Sequence, residues 1–427
     1  MNILMLFGNN PLKQSGAVSL DLFNEFKKRG HSVRLMVNVY DKGYPEGVIS
    51  METLFLSYKE RVINKVRKIF KLDHKTLTDE KYHFYELDEK KIYYTTRQFL
   101  KKSGIKPDAI IILFAHKIVN AKNIFELSTR AKAPVYWMMY DSAPLTGGCH
   151  YSWDCTGYQN MCGSCPGLYS ADPFDQTYQN LSYKKEYLDK TDINIVLASE
   201  WQYRHTIKST LFKNRPIHKI FIAINPEIFK PIPKDTIRKK MGIPGDKKVI
   251  FFGANYLGHE RKGMQYLITA LGILKKLLQD SALQNDVLLL IAGAEVENLK
   301  ALLPFDYINL GVVDNGPGIA SAFQAADLFV CPSIEDAGPS MINQSLMTGT
   351  PVVAFAQGVA LDLIVAGETG YKARLKDIED LALGMETILK MPETDYCKMR
   401  SNCRELAMKL LHPEVNISRW LEILPKR

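Results

Sequence analysis

The sequence predicts an α/β chain of two doubly wound domains with a cleft between them. Three observations carry this. Short apolar runs alternate with segments of helical period along most of the chain. The runs are apolar on both faces, as in parallel strands covered by helices. The alternation also starts afresh after a stretch rich in Pro and polar residues, "NPEIFKPIPKDT".

The first series opens with a strand, "NILMLF", a glycine-containing loop, "GNNPLKQSGA", and a helix, "VSLDLFNEFKKRG". Leu20, Leu22, Phe23 and Phe26 are spaced for one face of that helix. "HSVRLMV" follows as a strand, completing a βαβ unit. "DAIIILF", "APVYWMMY" and "INIVLAS" read as further strands. The second series runs through "KKVIFFGA", "DVLLLIAGA", "DLFVCPS" and "TPVVAF", with helices between them. The expected domains are 1–228 and 229–427. The last helix, "EVNISRWLEIL", has the apolar face to stay with the second domain or cross back to the first.

Composition narrows the class. No run of 18 apolar residues is present, so no membrane-spanning helix is expected. "MNILMLFGNN" lacks a charged leader segment and enters fold-like sequence at once, which suggests a cytoplasmic protein. The net charge of +9 is unevenly spread, and residues 58–72, "YKERVINKVRKIFKL", carry much of the excess. That segment reads either as an amphipathic helix on an anionic membrane surface or as an ordinary helix with a solvated basic face. No nucleic-acid motif is recognisable, so no nucleic-acid partner is expected.

Two stretches carry chemistry. In "PSIEDAGPSMINQSLMTGTPVVAF" a loop with Glu335 and Asp336 precedes a helix with Pro339 in its first turn. The N–H groups of Ser340 and Met341 then face outward at the helix start. Upstream, Arg261 and Lys262 stand in a loop just before another helix, an arrangement suited to anions. The other stretch is "CHYSWDCTGYQNMCGSCP", with Cys149, Cys155, Cys162 and Cys165 in a C-x5-C-x6-C-x2-C spacing. Stable disulfides are not expected in a cytosolic chain. Four thiols in a loop poor in core-formers suit a closed structural zinc site. An iron–sulfur cluster and free or redox-active thiols are the alternatives, and His150 is a substitute ligand.

"GHERKGMQYLITAL", "GVVDNGPGIASAFQAADLFVCPS", "EDAGPSMINQSLMTGTPVVAF" and "GETGYKA" occur in an order and spacing that resemble glycosyltransferase family 4. The first half is similar more loosely, through "SGAVSLDLFNEFKKRGHSV". The Cys-rich segment, about 141–170, resembles an insertion in a subset of that family making bacterial polysaccharides. The resemblance implies a GT-B fold, two facing Rossmann-like domains with an interdomain cleft. It implies a retaining transferase moving a sugar from a nucleotide diphosphate to a glycan or lipid-linked glycan at the inner face of the membrane. No catalytic metal is implied, because Lys262 and Arg261 would neutralise the diphosphate.

The resemblance also assigns roles. Lys262 would contact phosphate, Asp336 the donor sugar and Gln344 the ribose, with Glu335 as the rival carboxylate. Gly16 would let the backbone approach the diphosphate. The segment "INLGVV", ending at Val313, would hold the base through main-chain groups. Three positions depart from the family pattern: Tyr140 replaces a histidine at a strand end, Ala254 an arginine and Gln344 a glutamate. Those departures motivate one alternative, a non-catalytic partner in glycan assembly; another is a sugar-nucleotide epimerase, which shares the donor site but needs no glycan acceptor. His116, after "IIILFA", is a further candidate for the cleft.

Overall fold

The computed structural model describes residues 1–13, 16–52, 77–294, 296–313 and 316–426. The basic segment 58–72 lies outside them. Among the described residues no helix is long and apolar enough to cross a membrane. The chain divides into two compact units.

The first unit comprises Met1–Leu197, Gln202–Ile220 and the chain from Ile417 onward. Its sheet has β1 (Asn2–Phe7), β2 (Ser32–Val37), β3 (Val48–Ser50), β4 (Ala109–Phe114), β5 (Val135–Met138), β6 (Ile193–Leu197) and β7 (Ile217–Lys219). All neighbours pair in parallel, in the order β3-β2-β1-β4-β5-β6-β7. The chain therefore leaves β1 toward one edge and returns beside it to build the other. The carboxyl ends of β1 and β4 flank that reversal, the place where open α/β sheets present ligand sites. Gly8 lies there because its N–H bonds the Phe114 carbonyl at 2.7 Å and a Cβ would stand 1.9 Å from the His116 carbonyl oxygen.

The helix Ala17–Lys28 buries Leu22, Phe23 and Phe26 against this sheet and leaves Leu20 only half-buried. Phe26 meets Trp420 edge-on, with ring centroids 6.3 Å apart. The Tyr136 hydroxyl donates to the Ile423 carbonyl at 2.7 Å. Those contacts hold the end of the helix Pro413–Ile423 in the first unit.

The second unit comprises Ala198–Trp201 and Phe221–Asn416. Its strands are β8 (Lys248–Tyr256), β9 (Val287–Ala294), β10 (Asp306–Asn309), β11 (Leu328–Cys331), β12 (Val352–Phe355) and β13 (Gly370–Ala373). They form a parallel sheet in the order β10-β9-β8-β11-β12-β13. Here the reversal falls between β8 and β11. Every residue of β11 and β12 is buried, which is why they read as unbroken apolar runs. Phe251, Phe323 and Phe329 pack at centroid distances of 4.9–5.5 Å.

A buried ion cluster closes the far end of this sheet. Asp327 accepts from Lys234 and, at 2.7 Å, from Arg238, while the Tyr396 hydroxyl bonds its carbonyl at 2.8 Å. Each charge has a partner, as burial of ions requires.

Candidate functional site

The residues singled out in the second unit converge at the β8/β11 reversal. Arg261 and Lys262 sit in a short turn, Glu260–Lys262, that ends at Gly263 in the left-handed region (φ 70°). A Cβ on Gly263 would stand 1.8 Å from the Pro332 carbonyl oxygen, so only glycine lets this turn press against the loop after β11. The Ile334 and Glu335 N–H groups bond back to the Arg261 carbonyl at 2.9 and 3.3 Å. Two loops far apart in sequence are thus laced into one wall.

The charges on that wall meet directly. Asp336 Oδ2 accepts from Lys262 Nζ at 2.7 Å and from Arg261 Nη1 at 3.0 Å. Its Oδ1 accepts the Gly338 N–H at 3.1 Å. Burial opposes ionisation of Asp336, but Lys262 and then Arg261 outweigh it and hold the carboxyl below its usual range. Glu335 is buried beside it.

Beyond the loop, the helix Ser340–Met347 has Pro339 as its N-cap. The sequence expectation put Pro339 inside the first turn; the structure moves it one place outward. Its carbonyl accepts the first bond of the turn, from the Ile342 N–H. The Ser340 and Met341 N–H groups precede that bond and remain outside the helical ladder. Met341 and Val313 line one pocket with Ala254, Asn255, Gly293 and Ile319. Gln344 follows Met341 by three residues and is buried, and its Oε1 has no hydrogen-bond partner among the described residues. An orphaned buried acceptor is costly. A ligand hydroxyl would relieve it.

Gly16 is the N-cap of Ala17–Lys28 in the first unit, and a Cβ there would lie 2.2 Å from the Asn10 carbonyl oxygen. The close approach that requires glycine is therefore to the chain's own loop. Tyr140 and Asp141 follow β5 and line a pocket of the first unit with His116, His150, Phe114 and Glu86. Burial, with Asp21 nearby, raises the Tyr140 phenol well above its usual range, so Tyr140 stays protonated and is no ready base. Burial first, then Lys117, lowers His116 to about 4, leaving a neutral ring.

Sequence reasoning missed the partnership of Asp141 and His150. His150 Nδ1 and Asp141 Oδ2 stand 2.6 Å apart, both nearly buried. Nothing in their nine-residue separation announces this, because the loop between them must close first. Asn255 and Ile319 were missed as well; apolar and amide side chains without a motif leave no signal.

Cys149, Cys155, Cys162 and Cys165 line a single small cavity with Tyr82 and Tyr158. Burial raises Cys149, Cys162 (to about 12) and Cys165, and neighbouring thiols add to the effect. Without a cation those thiols are protonated. The backbone beside them is unusual: Met161, Cys162, Gly163 and Ser164 all take positive φ, at 74°, 58°, 93° and 44°. Non-glycine residues in that region are strained and need outside support. Among the described residues, however, no group of three or more His, Cys, Asp or Glu is arranged so that it could hold a metal ion. The thiols share a cavity without forming a closed ligand set.

Comparison with known proteins follows this geometry. Residues 233–409, most of the second unit, match the family model "Glycosyl transferases group 1". A D-inositol 3-phosphate glycosyltransferase of Arthrobacter sp. (strain FB24) is 28% identical over 176 residues, 40% of this chain and 41% of that one. An uncharacterized glycosyltransferase of Methanocaldococcus jannaschii is 27% identical over 241 residues, 53% of this chain and 57% of its own. The chain thus spans about half the length of these curated relatives. Sucrose-phosphate synthase from Thermosynechococcus elongatus superposes with a TM-score of 0.65 at 16% identity, covering 99% of this chain and 98% of its own. WaaG, a glycosyltransferase involved in lipopolysaccharide biosynthesis, gives 0.63 at 14%, covering both chains completely. The chain thus has two Rossmann-like units with the GT-B fold, and its residues 233–409 match the model of the glycosyl transferases group 1 family.

Proposed function

We propose that the chain is a retaining glycosyltransferase that moves a sugar from a nucleotide diphosphate to a hydroxyl of a glycan. One observation carries this reading. Arg261, Lys262 and Asp336 meet at the β8/β11 reversal, in the same unit as the pocket of Val313 and Met341. Two cations and open helix N–H groups suit a diphosphate, and the Val313–Met341 pocket suits a base. Gln344 Oε1 would accept a ribose hydroxyl.

In the proposed reaction the acceptor oxygen bonds to the anomeric carbon as the bond to diphosphate breaks. The acceptor proton passes to the departing phosphate oxygen, and Lys262 and Arg261 stabilise the charge that develops there. The protonated Tyr140 and the cation-bound Asp336 both support this route, since neither is a ready base. Anabaena Alr3699/HepE, solved in complex with UDP-glucose, superposes with a TM-score of 0.62 at 15% identity, covering 99% of each chain. The lipid-linked form of the acceptor and its role in bacterial surface polysaccharide synthesis remain part of the proposal. So does the site of action, at the cytoplasmic face of the membrane.

The four cysteines share one cavity but are not arranged as a ligand set, and they are proposed to close on one structural zinc only as it binds. Their shared cavity and the run of positive φ beside them support it. The ion would lock the loop and supply no chemistry. A screen of UDP-, GDP- and ADP-sugars for thermal stabilisation and for hydrolysis tests the transferase reading. One sugar nucleotide that both stabilises the chain and is slowly hydrolysed is expected. Failure of all of them to bind would refute it.

A further inference from the structure

We propose that the thiol cavity is a conformational clasp: the state of its four cysteines sets the order of the segment Asp79–Glu89, which carries one wall of the neighbouring pocket of the first unit. The ion in this clasp rests on the zinc reading, whereas the coupling between cavity and segment does not.

The segment has little structure of its own. Among the described residues it contains one short turn, Glu80–Tyr82, and one isolated antiparallel bridge, from Phe84 to Cys149. Much of its remaining order comes from the loop that holds the thiols. The Gly167 carbonyl accepts the Asp79 N–H at 2.9 Å, and the Trp153 Nε1–H donates to the Lys81 carbonyl at 2.9 Å. Buried Asn180 ties the far end. Its Nδ2 donates to the carbonyls of Leu87 and Gly147 at 2.9 and 2.8 Å, and its Oδ1 accepts the Glu89 N–H at 3.3 Å. Packing is as close: a Cβ on Gly167 would stand 2.7 Å from the Phe84 ring and 2.9 Å from the Tyr82 ring. A segment held in this way opens locally when its support does.

The thiols reach the segment directly, because Tyr82 lines their cavity. The other side of the loop is fixed. The Cys165 N–H donates to Asp175 Oδ2 at 2.8 Å and the Gly163 N–H to Thr177 Oγ1 at 3.2 Å, both at the start of the helix Gln176–Leu188 that Asp175 caps. Strain in the cavity is therefore passed toward Tyr82 rather than toward that helix. The four thiols are not arranged as a ligand set. An ion that gathers them rearranges the cavity wall, and the Tyr82 ring is the part of that wall belonging to the segment.

Beyond Tyr82 the segment enters the pocket. Glu86, Asp88 and Glu89 line it. Glu89 accepts the Ala121 N–H at 3.0 Å, at the start of the helix Ala121–Ala131, and stands 3.7 Å from Lys184. Release of the clasp loosens these three carboxylates together. The coupling is reciprocal: what orders the thiol loop orders the segment, and loosening the segment uncovers the thiols.

Two measurements on the full chain test this. The first is hydrogen exchange, read by mass spectrometry on peptides spanning 79–89 with β8 as internal control. Cys162→Ser should speed exchange in 79–89 by about tenfold or more and leave β8 near its native rate. Zinc ion added to metal-free chain should slow exchange in the same peptides. The second measurement runs the coupling backward, from residues that are not thiols. Phe84→Ala should raise several-fold the rate at which N-ethylmaleimide labels the four cysteines of the metal-free chain. Trp153→Phe, which removes only the bond to the Lys81 carbonyl, should do the same and serves if Phe84→Ala does not fold. Unchanged exchange in a folded Cys162→Ser chain overturns the proposal. So does exchange that rises equally in β8, zinc that binds without slowing 79–89, or unchanged labelling in the folded segment variants. Zinc that fails to bind, beside faster exchange of 79–89 in Cys162→Ser, upholds the clasp and refutes the zinc reading instead.

Discussion

Replacing Lys262 with alanine should weaken a nucleoside diphosphate by roughly 10- to 150-fold. Lys262 Nζ is placed by a turn that only glycine at 263 permits, and in the free chain it donates to Asp336 at 2.7 Å. A charge-assisted bond to phosphate contributes about 1.5–3 kcal/mol, which gives that range. The internal anion matters to the result. The Asp336 carboxylate occupies both cations before any donor arrives, so a diphosphate must share or displace it. Asp336→Asn should therefore tighten a nucleoside diphosphate, by about 1 kcal/mol or roughly fivefold. It should not tighten the intact sugar nucleotide equally if Asp336 also meets the sugar. Titration calorimetry on both variants, with the diphosphate and with the sugar nucleotide, reads all four affinities. Thermal unfolding checks that each variant is folded. Unchanged diphosphate affinity in folded Lys262→Ala would remove the anion site from this wall.

Three further outcomes follow from single positions. Gln344→Ala should weaken the sugar nucleotide by about 1 kcal/mol, and Gln344→Glu should match or exceed the native affinity if Oε1 receives a ribose hydroxyl; calorimetry showing neither change excludes that contact. Gly263→Ala should cost roughly 1–3 kcal/mol of stability, since it adds strain at φ 70° and a clash with the Pro332 carbonyl. Denaturant unfolding measures the loss, and a native midpoint would show that the turn can move. Protein purified without chelator should carry one zinc per chain by elemental analysis, and Cys162→Ser or Cys165→Ser should release it and expose the loop to protease. Metal-free protein with four titrating thiols would leave the cluster as buried cysteine.

The sheets were legible because their strands are buried on both faces and carry no polar alternation to confuse the period. The placing of the second-unit candidates was legible for a different reason. Arg261, Lys262 and Asp336 stand in turns beside element ends, where glycine and proline mark the boundaries, and Gln344 lies in the short helix that follows Pro339. Their contacts were not legible: that Lys262 and Arg261 would close on Asp336 depends on how two loops 74 and 75 residues apart are laced together. Gly16 shows the same limit. Its need to be glycine was readable, yet the group that crowds it is the Asn10 carbonyl and not a ligand. The first-unit pocket was least legible, because Asp141 and His150 become partners only after the loop between them has turned back through Gly148 at φ 139°.

The pairing at Asp336 also bears on what this wall can discriminate. A wall with two free cations would gather any small polyanion. Here one carboxylate already holds both, at 2.7 and 3.0 Å, and burial makes the arrangement unfavourable to break. A bare phosphate offers little to offset the loss of that contact. A nucleotide sugar offers more at once: a diphosphate for the cations, hydroxyls for the Asp336 carboxylate and for Gln344 Oε1, and a base for the pocket of Val313 and Met341. The internal ion pair therefore raises selectivity for a ligand that replaces every interaction it displaces. Inorganic phosphate and pyrophosphate should compete poorly against the sugar nucleotide in the native chain and markedly better in Asp336→Asn. Competition calorimetry measures the ratio directly, and an unchanged ratio in the variant would assign Asp336 a purely structural role.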